Sequence, residues 1–174
     1  MFAVTERLLL RPGWIEDAPA LTQAIGDRDV ARNLAHVPWP YSQADAEAFL
    51  SLPQDPTRPR FLICLRSNNQ IVGGIGLSGD DEPNLGYWIA RAHWSRGYAT
   101  EAGRAVLALA DASLRLPQVK ACHAIDNPAS GTVLRKLGFR ATGRKIMMSS
   151  PVRGAMESHL FVREREDYAR PLAA

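Results

Sequence analysis

The sequence predicts a single α/β domain over residues 1–174, with a mixed, mostly antiparallel sheet of about seven strands flanked by about four helices. Three observations support this prediction. Short apolar runs bounded by polar turns, typical of strands, alternate with segments whose apolar residues recur at helical spacing. The 174 residues are enough to bury one hydrophobic core. No repeat, low-complexity stretch or linker-like segment divides the sequence.

The first half of the chain is interpreted as one strand, two helices and a three-stranded meander. Residues 8–10 form the first strand. Asp17 is placed to cap the first helix, and Ser42 is placed to cap the second. Short polar turns separate the next three apolar segments, so these strands are expected to run antiparallel; they are 61–65, 71–77 and 85–90.

In the second half of the chain, the spacing of apolar residues changes from that of strands to that of a helix. Residues 97–114 show apolar positions at helical spacing and predict a long helix, and 119–125 predicts a strand. Asn127 is expected to cap the next helix, with Pro128 at its first position and Gly138 just beyond its end. Two final strands are predicted around 145–148 and 159–162.

Composition and charge exclude several function classes. The formal net charge is +3 and the basic residues are scattered, so no nucleic-acid partner is expected. No apolar stretch approaches the length of a membrane span, and the first residues lack the pattern of a signal peptide. Cys64 and Cys122 lie in apolar runs without a C-x-x-C pair, which indicates reduced thiols and no zinc site. The expected location is the cytoplasm, with no membrane partner.

The connection between the strand at 85–90 and the helix at 97–114 carries the clearest functional signal. The first turn of a helix leaves backbone N–H groups without partners, and together with the helix dipole they attract anions. Gly97 lets the backbone approach a phosphate without a Cβ, Ala99 is small, and Arg96 can add a charge. The sequence therefore predicts a diphosphate site, although Gly97 is equally compatible with a plain turn glycine.

Residues 94–102, with the sequence WSRGYATEA, resemble the acyl-CoA loop of the GNAT family of N-acetyltransferases. The family pattern is Gln or Arg, two residues, Gly, one residue, and then Gly or Ala. Trp94 departs from that pattern at the first position, but a tryptophan there is familiar in the RimJ/RimL-like branch. Segments 5–11 and 127–139 are similar to the same branch, so the resemblance covers nearly the whole chain in the right order.

The resemblance implies acetyl-CoA as cosubstrate and no metal. The loop backbone would hold the diphosphate, with the Thr100 hydroxyl as a further contact. The strand before the loop would splay from the strand that follows the long helix, and Ile89 and Ala90 would bond the pantetheine arm in the resulting acyl-CoA slot. The cofactor-binding residues implied in this way are Ile89, Ala90, Arg96, Gly97, Tyr98, Ala99, Thr100, Asn127 and Ser130.

The reaction implied by the resemblance is direct attack of a neutral amine on the thioester, with the thiolate of coenzyme A leaving. Ser130 is the expected proton donor to that thiolate; the alternative is a structural serine in a first helical turn, bonded to Asn127. The glutamate base of many relatives is absent, because Asn84 stands at its position. His36 is the second candidate catalytic residue, with Glu101 or a water chain as alternatives.

The acceptor is expected to be a small-molecule or peptide amine, and the branch favours protein N-termini. Trp39 and Tyr41, in a loop stiffened by prolines, and Trp88 are the expected substrate-binding residues; the alternative for the loop pair is packing at the edge of the core. A backbone N–H near Trp88 or Ile89 is expected to face the oxyanion. A homodimer is the expected assembly. Because of Asn84, a non-catalytic acyl-CoA-binding sensor or interaction module is the competing function.

Overall fold

The computed structural model describes residues 1–79 and 81–165, and its centre is one eight-stranded sheet. The strands are β1 (Ala3–Val4), β2 (Leu8–Arg11), β3 (Arg60–Leu65), β4 (Ile71–Ser78), β5 (Asn84–Ile89), β6 (Gln118–Ala124), β7 (Arg140–Ser150) and β8 (Gly154–Glu164). They lie in the order β1-β2-β3-β4-β5-β6-β8-β7, and every neighbouring pair is antiparallel except β5 with β6. The mixed, mostly antiparallel sheet predicted from the sequence is confirmed.

Helices cover both faces of this sheet. The α-helices of the described residues are α1 (Ala18–Ile25), α2 (Arg28–Ala31), α3 (Gln43–Leu50), α4 (Tyr98–Ala112) and α5 (Pro128–Lys136). The sequence prediction had about seven strands and four helices because β1 and α2 are two and four residues long, too short to show a period. It also placed the last two strands too narrowly, since β7 and β8 each run for eleven residues.

The alternation of side chains along β3 shows how the two layers form. Phe61 and Ile63 are buried in the larger core cluster, which α4 and α5 close on one face. Leu62 and Cys64 point the other way, into a smaller cluster closed by α1 and α3. The sheet is therefore the middle layer of three, and each face of β5 meets a different set of helices.

The predicted helix starts differ in how they are capped. Ser42 accepts a hydrogen bond from the Asp45 N–H, as expected. Asp17 does stand at the N-cap of α1, but its side chain does not cap that helix. Its carboxylate instead accepts hydrogen bonds from both terminal nitrogens of Arg11, at 2.7 Å each, and from the Trp14 N–H at 2.8 Å. Arg11 is buried, and a buried guanidinium is costly unless it is paired with a carboxylate. The Asp17 side chain therefore bonds Arg11 instead of capping α1.

Strands β5 and β6 pair at one end only. Within the described part of the chain their one registered pair is Asn84 with Lys120, and the Lys120 N–H donates to the Pro83 carbonyl at 2.7 Å. From there to Ile89, β5 keeps its ladder with β4 but has no registered partner in β6. The two strands thus separate into a wedge-shaped gap, the splay that the resemblance implied. At its closed end Lys120 and Glu82 form an ion pair.

No helix among the described residues combines the length and apolar character that crossing a membrane requires. Cys64 and Cys122 are both free thiols, and burial raises the pKa of each above its ordinary value.

Candidate active site

Residues 90–97 connect β5 to α4 and bring a bare helix start beside the gap. Ser95 and Gly97 both have left-handed backbones, with φ of 60° and 79°. No side chain caps α4, and its first internal hydrogen bond runs from the Glu101 N–H to the Gly97 carbonyl at 3.0 Å. The N–H groups of residues 98–100 consequently have no partner within the helix and lie at its positive end.

Gly97 is needed for its backbone conformation more than for space. A Cβ added to Gly97 would lie 3.5 Å from Nη2 of Arg7, which is an ordinary contact distance. Its φ of 79°, in contrast, lies in the region that residues with a Cβ rarely adopt. The prediction that this glycine opens the long helix is confirmed.

Arg7 and Glu101 tie the turn between β1 and β2 to the start of α4. The Glu101 carboxylate accepts hydrogen bonds from the Thr5 hydroxyl at 2.6 Å, from the Arg7 backbone N–H at 2.9 Å and from Arg7 Nε at 2.7 Å. Arg7 Nη1 also donates to the Arg96 carbonyl at 3.0 Å. Burial acts to raise the pKa of Glu101, but the hydrogen bonds from Thr5 and Arg7 outweigh it and lower the pKa. A carboxylate held in this way is poorly suited to act as a base.

Alternate residues of β5 turn their backbone groups toward the gap. The Ala90 N–H donates to the Val72 carbonyl at 2.8 Å, and in an antiparallel ladder the bonded positions alternate. Trp88, two residues earlier, therefore also directs its N–H and carbonyl toward β4. The backbone groups of Tyr87 and Ile89 point the other way, into the gap.

Ile89 and Ala90 differ in what they leave available. The Ile89 carbonyl accepts a hydrogen bond from Nε1 of Trp94 at 2.7 Å, so the indole folds back over the end of β5 and the Ile89 N–H stays free to face the gap. The Ala90 carbonyl accepts from the His93 N–H at 2.9 Å, and its own N–H is bonded to β4. Of the two residues expected to bond a pantetheine arm, only Ile89 has an uncommitted N–H.

The start of α5 supplies a hydroxyl pair with β5. Asn127 caps the helix by accepting from the Ser130 N–H at 3.3 Å, and Pro128 occupies the first turn, both as predicted. The Ser130 Oγ lies 2.8 Å from the Tyr87 hydroxyl oxygen, which also lies 3.1 Å from the Ser130 carbonyl. Burial raises the pKa of Tyr87 to about 12, so its hydroxyl stays protonated near neutral pH.

Tyr87 is the functional candidate that sequence reasoning missed. The alternation of Tyr87 and Trp88 predicts that the two side chains point to opposite faces, and this is confirmed: Tyr87 packs with the α4 and α5 cluster and Trp88 with the α1 and α3 cluster. The alternation does not reveal a partner for Tyr87, because Ser130 lies 43 positions away in sequence.

The ring of His123 supports the turn of α5 that carries Ser130. His123 is buried on β6, with Nδ1 2.8 Å from the Ala124 carbonyl. A Cβ added to Gly131 would lie 2.6 Å from its Nε2. The backbone of α5 therefore rests directly on the imidazole, and His123 is a hydrogen-bonded core residue.

The other sequence candidates make no hydrogen bond to this hydroxyl pair within the described residues. Tyr41 and Trp88 are half-buried and pack against the α1 and α3 cluster, which fits the core-edge alternative for Tyr41. Trp39 is half-buried in the loop after α2. His36 is exposed in the same loop, and no hydrogen bond or ion pair joins it to any residue of 1–79 or 81–165. The structure does not bring His36 into contact with Ser130.

The described residues offer neither a glutamate at the position of Asn84 nor a cluster of metal ligands. Asn84, at the position where a glutamate was expected, lies at the closed end of the gap, where Glu82 is largely exposed and paired with Lys120. Across residues 1–79 and 81–165, no three His, Cys, Asp or Glu side chains are grouped so that they could hold a metal ion.

The fold of the described residues is shared by solved acetyltransferases. A GNAT-family acetyltransferase from Bacillus anthracis superimposes with a TM-score of 0.81 and 23% identity, over 94% of this chain and 98% of the other. RimL, a ribosomal L7/L12 α-N-protein acetyltransferase solved in complex with coenzyme A, superimposes with a TM-score of 0.78 and 19% identity, over 94% of this chain and 98% of RimL. The fold is thus that of an acetyltransferase.

Residues 7–140 match the acetyltransferase (GNAT) domain, and the chain belongs to this family. The N-acetyltransferase p20 of Bacillus licheniformis is 30% identical over 146 residues, which cover 80% of this chain and 82% of p20. The N-acetyltransferase YoaA of Bacillus subtilis is 28% identical over 148 residues, with 80% and 82% of the two chains covered. The protein is an enzyme, an N-acetyltransferase.

Proposed function

We propose that the protein transfers the acetyl group of acetyl-CoA, bound in the gap between β5 and β6, to a primary amine. The observation that carries this proposal is the placement of two features beside one gap. The uncapped start of α4 offers backbone N–H groups for a diphosphate. The Tyr87 and Ser130 hydroxyls, 2.8 Å apart, offer a proton for a leaving thiolate.

For the cofactor, we assign the diphosphate to the backbone N–H groups of residues 97–100 and to the charge of exposed Arg96. The Thr100 hydroxyl is a further contact. Ile89 offers its N–H to the thioester end of the acyl-pantetheine arm, and Ala90 contributes the wall of the gap, because its own backbone groups are bonded within the protein. Asn127 shapes the opposite side by holding the first turn of α5.

For the acyl transfer, we assign stabilisation of the developing oxyanion to the Ile89 N–H. The ladder with β4 supports Ile89 over Trp88, because the Trp88 N–H is directed at β4 and that of Ile89 at the gap. A backbone donor on a strand that is fixed on its other side needs little reorganisation when charge develops. Bound acetyl-CoA supplies the activated acetyl group; the chain supplies position and charge.

For the leaving group, we assign the proton to Ser130, backed by Tyr87. The Tyr87 hydroxyl has one proton and two acceptors in reach, the Ser130 carbonyl and the Ser130 Oγ. When that proton points at the Oγ, the hydroxyl proton of Ser130 is released from Tyr87 and can be donated to sulfur. Tyr87 keeps its own proton, because burial raises its pKa to about 12, and its hydrogen bond stabilises the Ser130 oxygen until the proton released by the attacking amine restores the serine hydroxyl.

For the acceptor, we propose a protein or peptide N-terminus, in keeping with the RimJ/RimL-like branch and with the peptide acceptors in the names of structural neighbours such as RimL. The proposed acceptor contacts are Tyr41 and Trp88, which pack on the α1 and α3 side, and Trp39, which is half-buried in the loop before Tyr41. His36, exposed in the same loop as Trp39 and Tyr41, is the proposed base, acting through water. The proposal also includes one domain over 1–174, a cytoplasmic location and a homodimer.

The test is thiol release from acetyl-CoA with a panel of amines and N-terminal peptides. We expect turnover with at least one acceptor and a fall of about 10²-fold in kcat for Ser130→Ala. Thr132→Ala is the matched control, since Thr132 is exposed on the same helix and only back-bonds to Pro128 at 3.1 Å. Binding of acetyl-CoA without turnover over a broad panel would overturn the enzymatic assignment, and unchanged kcat in Ser130→Ala would return this serine to a structural role.

A further inference from the structure

We propose that Arg7, from the turn between β1 and β2, is a diphosphate ligand of the bound acyl-CoA. This inference rests on the proposed binding of acyl-CoA at the start of α4 and adds a residue that lies outside the loop itself. Arg7 would bind through the two outer nitrogens of its guanidinium, which face the same helix start as the backbone N–H groups of the loop.

The placement of Arg7 is fixed from three sides. Its Nε donates to Glu101 at 2.7 Å, its Nη1 donates to the Arg96 carbonyl at 3.0 Å, and its guanidinium carbon lies 4.8 Å above the centre of the Tyr98 ring. Its Nη2 lies 2.6 Å from the Glu101 carboxylate. These contacts hold a flexible side chain in one orientation, so little conformational entropy is lost when an anion binds.

The held guanidinium is directed at the loop surface. A Cβ built on Gly97 would lie 3.5 Å from Arg7 Nη2, so the outer face of Gly97 and this nitrogen border the same space. Nearly half of the Arg7 side chain, 46%, is exposed. A guanidinium has five N–H groups, and the contacts with Glu101 and Arg96 occupy three, which leaves one on each outer nitrogen for a ligand oxygen.

The composition of the loop explains why a cation from elsewhere is useful. The first position of the loop is Trp94, whose indole bonds the Ile89 carbonyl and carries no charge. Arg96 is exposed, and its backbone carbonyl is already the acceptor for Arg7. A diphosphate at the uncapped start of α4 would therefore contact two cationic side chains. Arg7 is held in place by hydrogen bonds, and Arg96 is exposed. Glu101 balances the formal charge of Arg7, so the preference for an anion rests on the two unoccupied N–H groups of the held guanidinium and on the helix start.

The experiment measures the dissociation constants of coenzyme A and dephospho-coenzyme A by calorimetry for the parent protein, Arg7→Met and Arg7→Lys. We expect Arg7→Met to weaken both ligands by the same factor, at least tenfold, with a shallower dependence on salt. Arg7→Lys should fall between, because lysine keeps the charge but loses the fork. Arg66→Met is the matched control. Arg66 donates to the Thr5 and Glu6 carbonyls of the same turn and makes no bond to α4. The affinity of this variant for both ligands should therefore stay within twofold of the parent.

Three results would overturn the inference. Arg7→Met could bind coenzyme A as the parent does, which would make Arg7 a structural residue. The loss could occur for coenzyme A but not for dephospho-coenzyme A, which would move the contact to the 3′-phosphate. Arg66→Met could weaken binding equally, which would reduce the effect to net charge. If the parent itself bound no coenzyme A, the proposed function would fail, a result distinct from all three. Thermal unfolding of each variant reports whether the fold is intact, and Arg7→Lys carries the test if Arg7→Met does not fold.

Discussion

The hydroxyl oxygen of Tyr87 lies 2.8 Å from the Oγ of Ser130, which links the strand on one side of the gap to the helix on the other. The same phenolic oxygen lies 3.1 Å from the Ser130 carbonyl. This pair sets the orientation of Ser130, because a serine at the first turn of a helix otherwise has several rotamers open to it. The proton of Ser130 is thus governed by a residue 43 positions earlier in the chain.

Tyr87→Phe removes this hydroxyl while keeping the buried ring. We expect kcat to fall about tenfold, the worth of one lost hydrogen bond to the reacting group, and the affinity for coenzyme A to stay within twofold. Steady-state kinetics together with calorimetry separate the two effects. The double variant with Ser130→Ala should be no slower than Ser130→Ala alone, because both residues act on one proton. Additive losses would show that Tyr87 acts elsewhere.

Gly97→Ala should lower the stability of the protein by about 1–2 kcal/mol, because alanine must adopt a φ near 79°. The added methyl also lies where a diphosphate would approach, so we expect weaker binding of coenzyme A. Gly143→Ala is the matched control, since Gly143 has a φ of 75° with nothing within 4 Å of its Cβ position. It should lose similar stability and no affinity. Gly97→Asp should abolish binding, because its carboxylate would occupy the anion site beside Arg7.

Gly131→Ala should affect both stability and turnover. The new Cβ would lie 2.6 Å from Nε2 of His123, and both groups are buried. Relief of this overlap moves either the imidazole or the first turn of α5, at about 1–3 kcal/mol, and with it Ser130. Gly86→Ala, which has open space at its Cβ, is the control and should leave both quantities nearly unchanged. Chemical denaturation and kcat are the measurements; equal effects of the two variants would contradict the contact.

Asp17→Asn should be among the most destabilising single substitutions. The side chains of Arg11 and Asp17 are only 4% and 13% exposed, so loss of the carboxylate leaves a buried cation without its counter-charge, at about 3–5 kcal/mol. Glu164→Gln breaks the exposed pair with Arg140 and should change stability by about 1 kcal/mol or less. Denaturant unfolding at neutral pH compares the two.

The stabilisation from Asp17 should depend on pH in one direction. Burial acts to raise the pKa of Asp17, but the hydrogen bonds from Arg11 and Trp14 outweigh it, so its pKa is lowered in the folded protein. A lowered folded pKa means that the contribution is fully present above the unfolded value of about 3.9 and is lost as the pH falls through the folded pKa. The difference in unfolding free energy between the parent and Asp17→Asn should therefore shrink on acidification below about pH 4. A difference that grows on acidification would contradict this sign.

Local chemistry in the sequence was enough to predict the starts of three helices. Gly97 before α4, Ser42 before α3, and Asn127 before α5 with Pro128 at its first position all act through neighbours a few residues away, and each lies where its pattern placed it. Periodicity likewise placed β3, β4, β5 and β6 and the change from meander to helix.

Contacts between distant segments were beyond that reach. Tyr87 with Ser130 and Arg7 with Glu101 join residues 43 and 94 positions apart, and no spacing rule connects them. Asp17 shows the same limit, because the local pattern predicts a helix cap but its side chain bonds Arg11 instead. The choice of Ile89 over Trp88 needed the register of β5 against β4. No contact of the described residues identifies the general base, so the role of His36 stays a prediction.

The proposed acyl-donor site is built largely from main chain, and this has a consequence for how the enzyme can change. A main-chain N–H stays in place whatever side chain the residue carries, as long as the strand and the helix keep their conformation, so these contacts do not depend on one side-chain chemistry. The acceptor side, by contrast, consists of side chains such as Trp39, Tyr41 and Trp88. A library randomised at those three positions should yield variants with new amine preferences that still use the same thioester, which makes the scaffold suitable for laboratory evolution of acceptor choice.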